Sequence, residues 1–159
     1  MRALTIRHPY SYAIIQWNWG KLVENRSRNI AGSYRGPVAI HQAVHEAHVT
    51  GPDVDLITYC LDADEEQRQS MAQRRAWVAR GEVIGVVDLV DVHYVDGRSE
   101  RWDAEAERNA TCSPWAHHGP IWHLVFANPR PLDCPVPVRG QLGLWTLPDD
   151  VEQAVRRQL

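Results

Sequence analysis

One lysine stands out in this chain. Of its 17 basic residues, 16 are arginine and only Lys21 is lysine. Where arginine supplies every other plain positive charge, a lone lysine draws notice. Its amine can shift its pKa, lose its proton and act as base or nucleophile, which a guanidinium cannot. A lysine without any special role is the alternative. Lys21 lies in W-G-K-L-V-E-N-R at 19–26, with Glu24 three residues on and Asn25 and Arg26 next to it. An amine and a carboxylate at this spacing can meet in one cleft. Glu24 would hold Lys21 charged if the two pair, while Arg26 and Arg28 would push its pKa down. Arg26 also offers a planar fork for a carboxylate, a phosphate or a base edge, and Asn25 can read a Watson–Crick edge. An exposed surface ion pair of little energetic weight is the competing reading.

Other residue types in the chain could also carry chemistry. His41, His45 and His48 have helical spacing, but His41 ends a predicted strand and H-Q-A-V-H lacks the glutamate of a zinc helix, so no metal or cofactor is predicted. His117-His118 is a weaker pair still. Of seven tryptophans, Trp17, Trp77 and Trp145 occupy apolar positions and read as core. Trp115 and Trp122 lie in or beside loops, where an indole can stack on a base. Phosphate-binding glycine loops, nucleophile elbows and nuclease metal clusters are all missing from the sequence.

The totals place these residues in a chain of 159 residues with a net charge of −3. That length suits one domain, residues 1–159, with a core of useful size. The charge argues against a protein that coats nucleic acid non-specifically. Its distribution is uneven: residues 1–35 carry +5 and the remainder −8, as expected of a local anion site on an acidic body. No apolar run approaches the roughly 20 residues of a membrane span, and no signal peptide is read at the start. Cys60, Cys112 and Cys134 are odd in number and widely spaced, which points to reduced thiols and a cytoplasmic location.

The elements that must position Lys21 follow from pattern. Residues 2–6 read as a strand, 10–19 as a short amphipathic helix with Gly20 after it, and 21–26 as a short strand or structured loop. Residues 37–41 form a buried strand. Residues 43–80 read as helical, with a turn at 51–53 and a stretch around Asp62–Glu66 that is a solvated face or a lid. Residues 83–94 are the clearest strand, rich in Val and Ile. Residues 95–120 read as loop and 121–127 as a strand. Asn128-Pro129-Arg130-Pro131 reads as a rigid break, followed by strands at 134–139 and 142–147 and a helix at 149–157. About six strands without βαβ alternation imply an α+β fold, a mixed and mostly antiparallel, partly closed barrel with flanking helices.

The order of the segments resembles the ASCH domain of the PUA-like superfamily. The matching pieces are T-I-R-H-P-Y at 5–10, W-G-K-L-V-E-N-R at 19–26, Y-R-G-P-V-A-I-H at 34–41 and R-G-E-V-I-G-V-V-D-L-V at 80–90. S-P-W-A at 113–116, W-H-L-V-F-A-N-P-R-P-L at 122–132 and P-V-R-G-Q-L-G-L-W at 137–145 complete the series. The resemblance implies a β-barrel whose basic cleft, lined by Gly20, Lys21, Glu24 and Arg26, binds RNA, a nucleotide or a nucleoside. One branch of the family hydrolyses the amide of acetylated cytidine with a lysine, a threonine and a distant glutamate. Lys21 matches the lysine, and Glu24 stands at the threonine position. Another member is associated with ribonuclease activity. The expected catalytic residues are Lys21, Glu24 and His41. The expected ligand-binding residues are Arg7, Tyr10, Asn25, Arg26, Arg28, Trp115 and Trp122. A non-catalytic, coactivator-like module that binds a protein partner is the alternative.

Overall fold

The computed structural model describes residues 1–16, 18–51, 53–65, 70–96 and 113–159. Trp17, Cys112 and the middle of the 95–120 segment lie outside the described residues, as does the end of the acidic stretch at Glu66. The elements in chain order are β1 (Arg2–Ile6), α1 (Tyr10–Ile15), β2 (Val23–Arg26), β3 (Gly36–Gln42), α2 (Asp53–Glu65), α3 (Met71–Val78), β4 (Glu82–Asp96), β5 (Pro120–Pro137), β6 (Leu144–Thr146) and α4 (Asp149–Arg156). Six strands form one sheet in the order β2-β5-β4-β3-β1-β6. Only β1 and β3 run parallel; the other neighbours are antiparallel.

The hydrogen-bonded sheet stays open, with β2 and β6 as its edges. It nevertheless curls far enough for Arg26 on β2 to donate from Nη2 to the carbonyl of Thr5 on β1, at 3.4 Å. Three strands separate β2 from β1 in the hydrogen-bonding order, so that contact measures the curvature. The seam between them holds the candidate site. One apolar cluster joins Leu4, Ile14, Val38, Ile84, Leu124 and Phe126 under α1, α2 and α3. A smaller one packs Ala3, Val86, Leu132, Trp145, Val151 and Val155 beneath α4. Gln42 ties the layers together. Its buried side chain accepts from Ser11 Oγ on α1 at 2.7 Å and donates to the Ala76 carbonyl on α3 at 3.1 Å.

Three expectations change. The helix at 10–19 stops at Ile15, and the chain reaches Gly20 in a left-handed conformation at φ 62°. Residues 43–51 are irregular rather than helical, and helix begins only at Asp53, whose acidic first turn with Asp55 suits the helix dipole. The rigid break at 128–131 is no break, since β5 runs through it. Prolines cannot donate to a ladder, but bulges accommodate them. The β4–β5 register shifts between Val83 and Gly85, Val86 and Asp88, and Leu89 and Asp91. Asn128 adopts φ 50° and donates to Asp88 at 2.9 Å, while Arg130 forks onto the same carboxylate at 2.7 and 3.2 Å.

Gly85 marks the tightest approach in this region. A Cβ there would lie 2.6 Å from Ile15 Cδ1 and 2.8 Å from the Arg130 carbonyl oxygen. The backbone oxygen cannot swing away as a side chain can. Gly85→Ala is therefore expected to cost about 1–3 kcal/mol through overpacking. Thermal unfolding checks it: an unchanged Tm would mean that β4 and β5 have slack at this point.

Candidate functional site

β2 delivers the site. Leu22 alone precedes it after Lys21, and Phe126 N–H donates to the Leu22 carbonyl at 2.9 Å, so the β5 ladder fixes the backbone beside Lys21. Lys21 is only 2% exposed. Its Nζ donates to the Val23 carbonyl at 2.6 Å and stands 3.6 Å from Glu24 Oε2. The ring faces of Tyr10 and Trp115 lie 5.3 and 5.8 Å from the amine. Burial pushes the Lys21 pKa below its ordinary value, opposed by the carboxylates of Glu24 and Asp53 and reinforced by Arg26. Burial, rather than a pair of arginines, is thus the main cause. Arg28 is exposed in the loop after β2 and is not among the causes.

Glu24 is itself buried and is held from its other side by Arg26 Nη2 at 3.0 Å. A second carboxylate enters from the start of α2. Asp53, 4% exposed, accepts from the Tyr10 hydroxyl at 2.8 Å and contacts His117 Nε2 at 3.1 Å. Burial, and then the neighbouring Asp53, push the Tyr10 hydroxyl well above its ordinary pKa, so it stays a donor. Tyr10, Lys21, Glu24, Asn25, Asp53 and His117 line an open-mouthed cavity of about 120 Å³. That is the liquid volume of about four waters, room for a small reacting group and short of a drug-sized ligand pocket.

A larger recess of about 380 Å³ adjoins it through Glu24 and is lined by Arg7, Arg26 and Gln141 among others. A third, of about 310 Å³, shares Thr5, Ala43, Gln141 and Leu142 with the second and ends at His41 and Gly140. Together they make a groove along the seam of the curled sheet.

The sequence-predicted residues do not all meet in one place. Lys21, Glu24, Asn25 and Tyr10 meet in the cavity. Arg7 and Arg26 line the adjoining recess. His41 lies at the far end of the groove, buried, with Nε2 3.0 Å from the Val138 carbonyl and its ring against Trp145. It does not meet Lys21. Trp115 is 3% exposed and donates from Nε1 to the Trp19 carbonyl at 3.1 Å, so it forms a wall rather than an open platform. Trp122 is half-buried, lies opposite Arg26 in the β2–β5 register and pairs with Tyr94 at 5.3 Å between ring centroids. Arg28 lines none of these recesses. His45 and His48 are exposed in the irregular segment after β3.

Sequence reasoning missed Asp53 and His117. Asp53 was readable only as a turn residue, and His117 only as half of a histidine pair. The signal that ties His117 to the site is Asn25, whose side chain donates to the Trp115 carbonyl at 2.9 Å and accepts from the His117 amide at 3.0 Å.

No family model matches the chain, and no curated protein does. Solved structures do. The chain is similar to the ASCH protein of Zymomonas mobilis, with a TM-score of 0.51 at 12% identity over 98% of this chain and 93% of that one. A tyrosine-to-phenylalanine variant of the same protein gives 0.52 at 13% identity, covering 98% and 96%. The fold is the ASCH fold. Within it, the Lys21 cavity opens at the seam where the ASCH sheet curls, and the 113–119 segment forms one wall.

Asn25 is the pin of that wall. Asn25→Ala removes both bonds to the segment and is expected to cost about 1–3 kcal/mol, the range for a buried partner left unsatisfied. Hydrogen exchange at the His117 amide should accelerate with it. Unchanged exchange there would show that other contacts hold the wall alone.

Proposed function

We propose that this chain binds a nucleobase-containing ligand, RNA or a nucleotide, in the seam groove and hydrolyses an acyl amide on it at Lys21. The observation that carries this reading is the buried amine: burial lowers its pKa, and it faces a small cavity with two carboxylates around it. A site that needed only positive charge has no reason to bury a lysine and so weaken that charge. In this reading Arg7 and Arg26 meet phosphate or carbonyl groups in the adjoining recess, and the base edge enters the cavity beside Asn25.

The chemistry follows general acid–base logic. Neutral Lys21 Nζ takes a proton from water as the water oxygen bonds to the amide carbon, giving a tetrahedral intermediate. The C–N bond then breaks, and the same proton passes from Nζ to the leaving nitrogen. Amide and water become carboxylic acid and amine, and Lys21 returns neutral. Glu24, 3.6 Å away, stabilises the ammonium formed midway. Ribonuclease action would need a phosphodiester at the same amine, and the narrow cavity favours a planar amide over that bulkier group.

Lys21→Arg discriminates catalysis from binding, because a guanidinium does not lose its proton in proteins. Turnover of acetylated cytidine or its nucleotide should fall at least about 100-fold, the lower end for a general base, with binding kept. Full turnover in this variant would exclude Lys21 as base, and no turnover by the wild type with binding intact would leave a binding module.

The pH profile carries a second expectation. Turnover requires the neutral amine, so the rate at saturating substrate rises with pH and levels off below the ordinary lysine value of 10.5, because burial lowers the folded pKa. A plateau reached only above that value would contradict a functional role for the burial.

A further inference from the structure

Behind the Lys21 cavity, two histidines stand side by side across β4 and β5. His93 and His123 are register partners, and Asn25 is the partner of His123 on its other side. His93 Nδ1 is 2.7 Å from Asp91 Oδ2, His93 Nε2 is 3.2 Å from His123 Nδ1, and His123 Nε2 is 3.0 Å from the His117 carbonyl. The rings are near perpendicular, with centroids 5.2 Å apart. His123 is fully buried.

Proton counting constrains this chain of contacts. The Asp91 carboxylate and the His117 carbonyl only accept, so His93 Nδ1 and His123 Nε2 must both donate. The contact between the rings needs one proton more. Two neutral imidazoles hold two ring protons, enough for two of the three contacts. Three contacts made at once require three protons, hence one positive charge shared by the pair and balanced by Asp91. Donation from His93 is the main cause that holds the Asp91 carboxyl below its ordinary pKa, keeping it ionised.

From this geometry we infer that Asp91, His93 and His123 form a one-proton unit that positions the 113–119 wall over the Lys21 cavity. Its link to function rests on the reading of that cavity as the site, and the unit itself does not. His123 is a positioning residue. Its Nε2 holds the carbonyl of His117, the residue whose amide is held by Asn25 and whose ring meets Asp53. When the shared proton leaves, one contact must be lost. The Asp91 contact, to an ionised carboxylate, keeps its proton, so the loss falls on one of the two His123 contacts: the bond to the His117 carbonyl itself, or the contact to His93 that anchors the ring making that bond. The wall is therefore held at the lower pH and loosened as pH rises. Among the described residues, the charged or titratable groups around the unit are Arg35 near Asp91 and His117 and His118 near His123, with Asp53 and Tyr10 beyond the His117 ring.

Nitrogen and proton NMR of the histidine rings, followed over pH in the full chain, tests this without any substrate. The expected result is one proton correlated with both His93 Nε2 and His123 Nδ1, lost in a single step, with the Trp115 and His117 amides shifting at the same midpoint. In His93→Gln the amide can donate to His123 Nδ1 without titrating, so the wall should stay in place and that step should vanish from both amides. Binding of acetylated cytidine or its nucleotide by this variant should lose its decline on the basic side while matching the wild type on the acidic side. Separate titration of the two rings, or amides indifferent to the step, would overturn the inference. So would stoichiometric zinc taking both nitrogens in place of the proton. If the unit titrates as expected but no ligand binds, the failure belongs to the Lys21 reading alone.

Discussion

An amine buried at the start of an edge strand is the constraint on which the rest of the site depends. Taking an ammonium out of water costs several kcal/mol unless partners replace the solvent, and lysines are rarely found fully buried without them. The chain answers with one carbonyl at hydrogen-bond distance, one carboxylate slightly beyond it and two aromatic faces. This is less than a fully charged amine asks for, and the pKa falls accordingly. The consequence spreads outwards. Glu24, brought in beside Lys21, is buried and needs a cation of its own, which Arg26 supplies. Arg26 reaches Glu24 only from within the seam, where its other contact is the Thr5 carbonyl. The curl of the sheet and the charge state of the site are thus two views of one arrangement.

The wall opposite is held in a different manner. The 113–119 segment belongs to neither the helices nor the ladder until β5 begins at Pro120. Side chains hold it instead: Asn25 from β2, His123 from β5 and Asp53 from α2, with the Trp115 indole bonded to the Trp19 carbonyl. Each anchor comes from a different element. A segment tied this way is ordered only when those elements are docked, so the cavity is completed by tertiary structure and not by any local motif.

That distinction explains what could be read from the sequence. Lys21, Glu24, Asn25 and Arg26 were legible because they share one short stretch, and a strand or turn of any kind brings them near one another. The strands at 2–6, 37–41 and 83–94 were legible from apolar runs rich in β-branched residues. Asp53 and His117 were not, since 64 residues separate them and no local pattern announces that α2 will start against the 113–119 wall. Asn128 to Pro131 misled for a physical reason: proline and a left-handed asparagine usually end a strand, and here bulges and the Asp88–Arg130 fork carry the strand across. His41 lies next to the end of its strand, which runs one residue further to Gln42, yet β3 and β2 are separated by β5 and β4, which leaves it at the other end of the groove.

Size then divides the labour along the groove. The cavity beside Lys21 is about a third of the volume of the recess it adjoins, about 120 against 380 Å³. A ligand that fills both must place its smaller, planar part at the amine and its bulk beside Arg7 and Arg26. Glu24 lines both spaces, so it feels the ligand's charge and the amine's protonation together. An anionic group settling by Arg26 competes with Glu24 for the guanidinium. Glu24 then turns its charge more fully on Lys21, which favours the ammonium form. In the proposed reading, binding in the recess and proton affinity in the cavity are coupled through Glu24, the carboxylate that lines both.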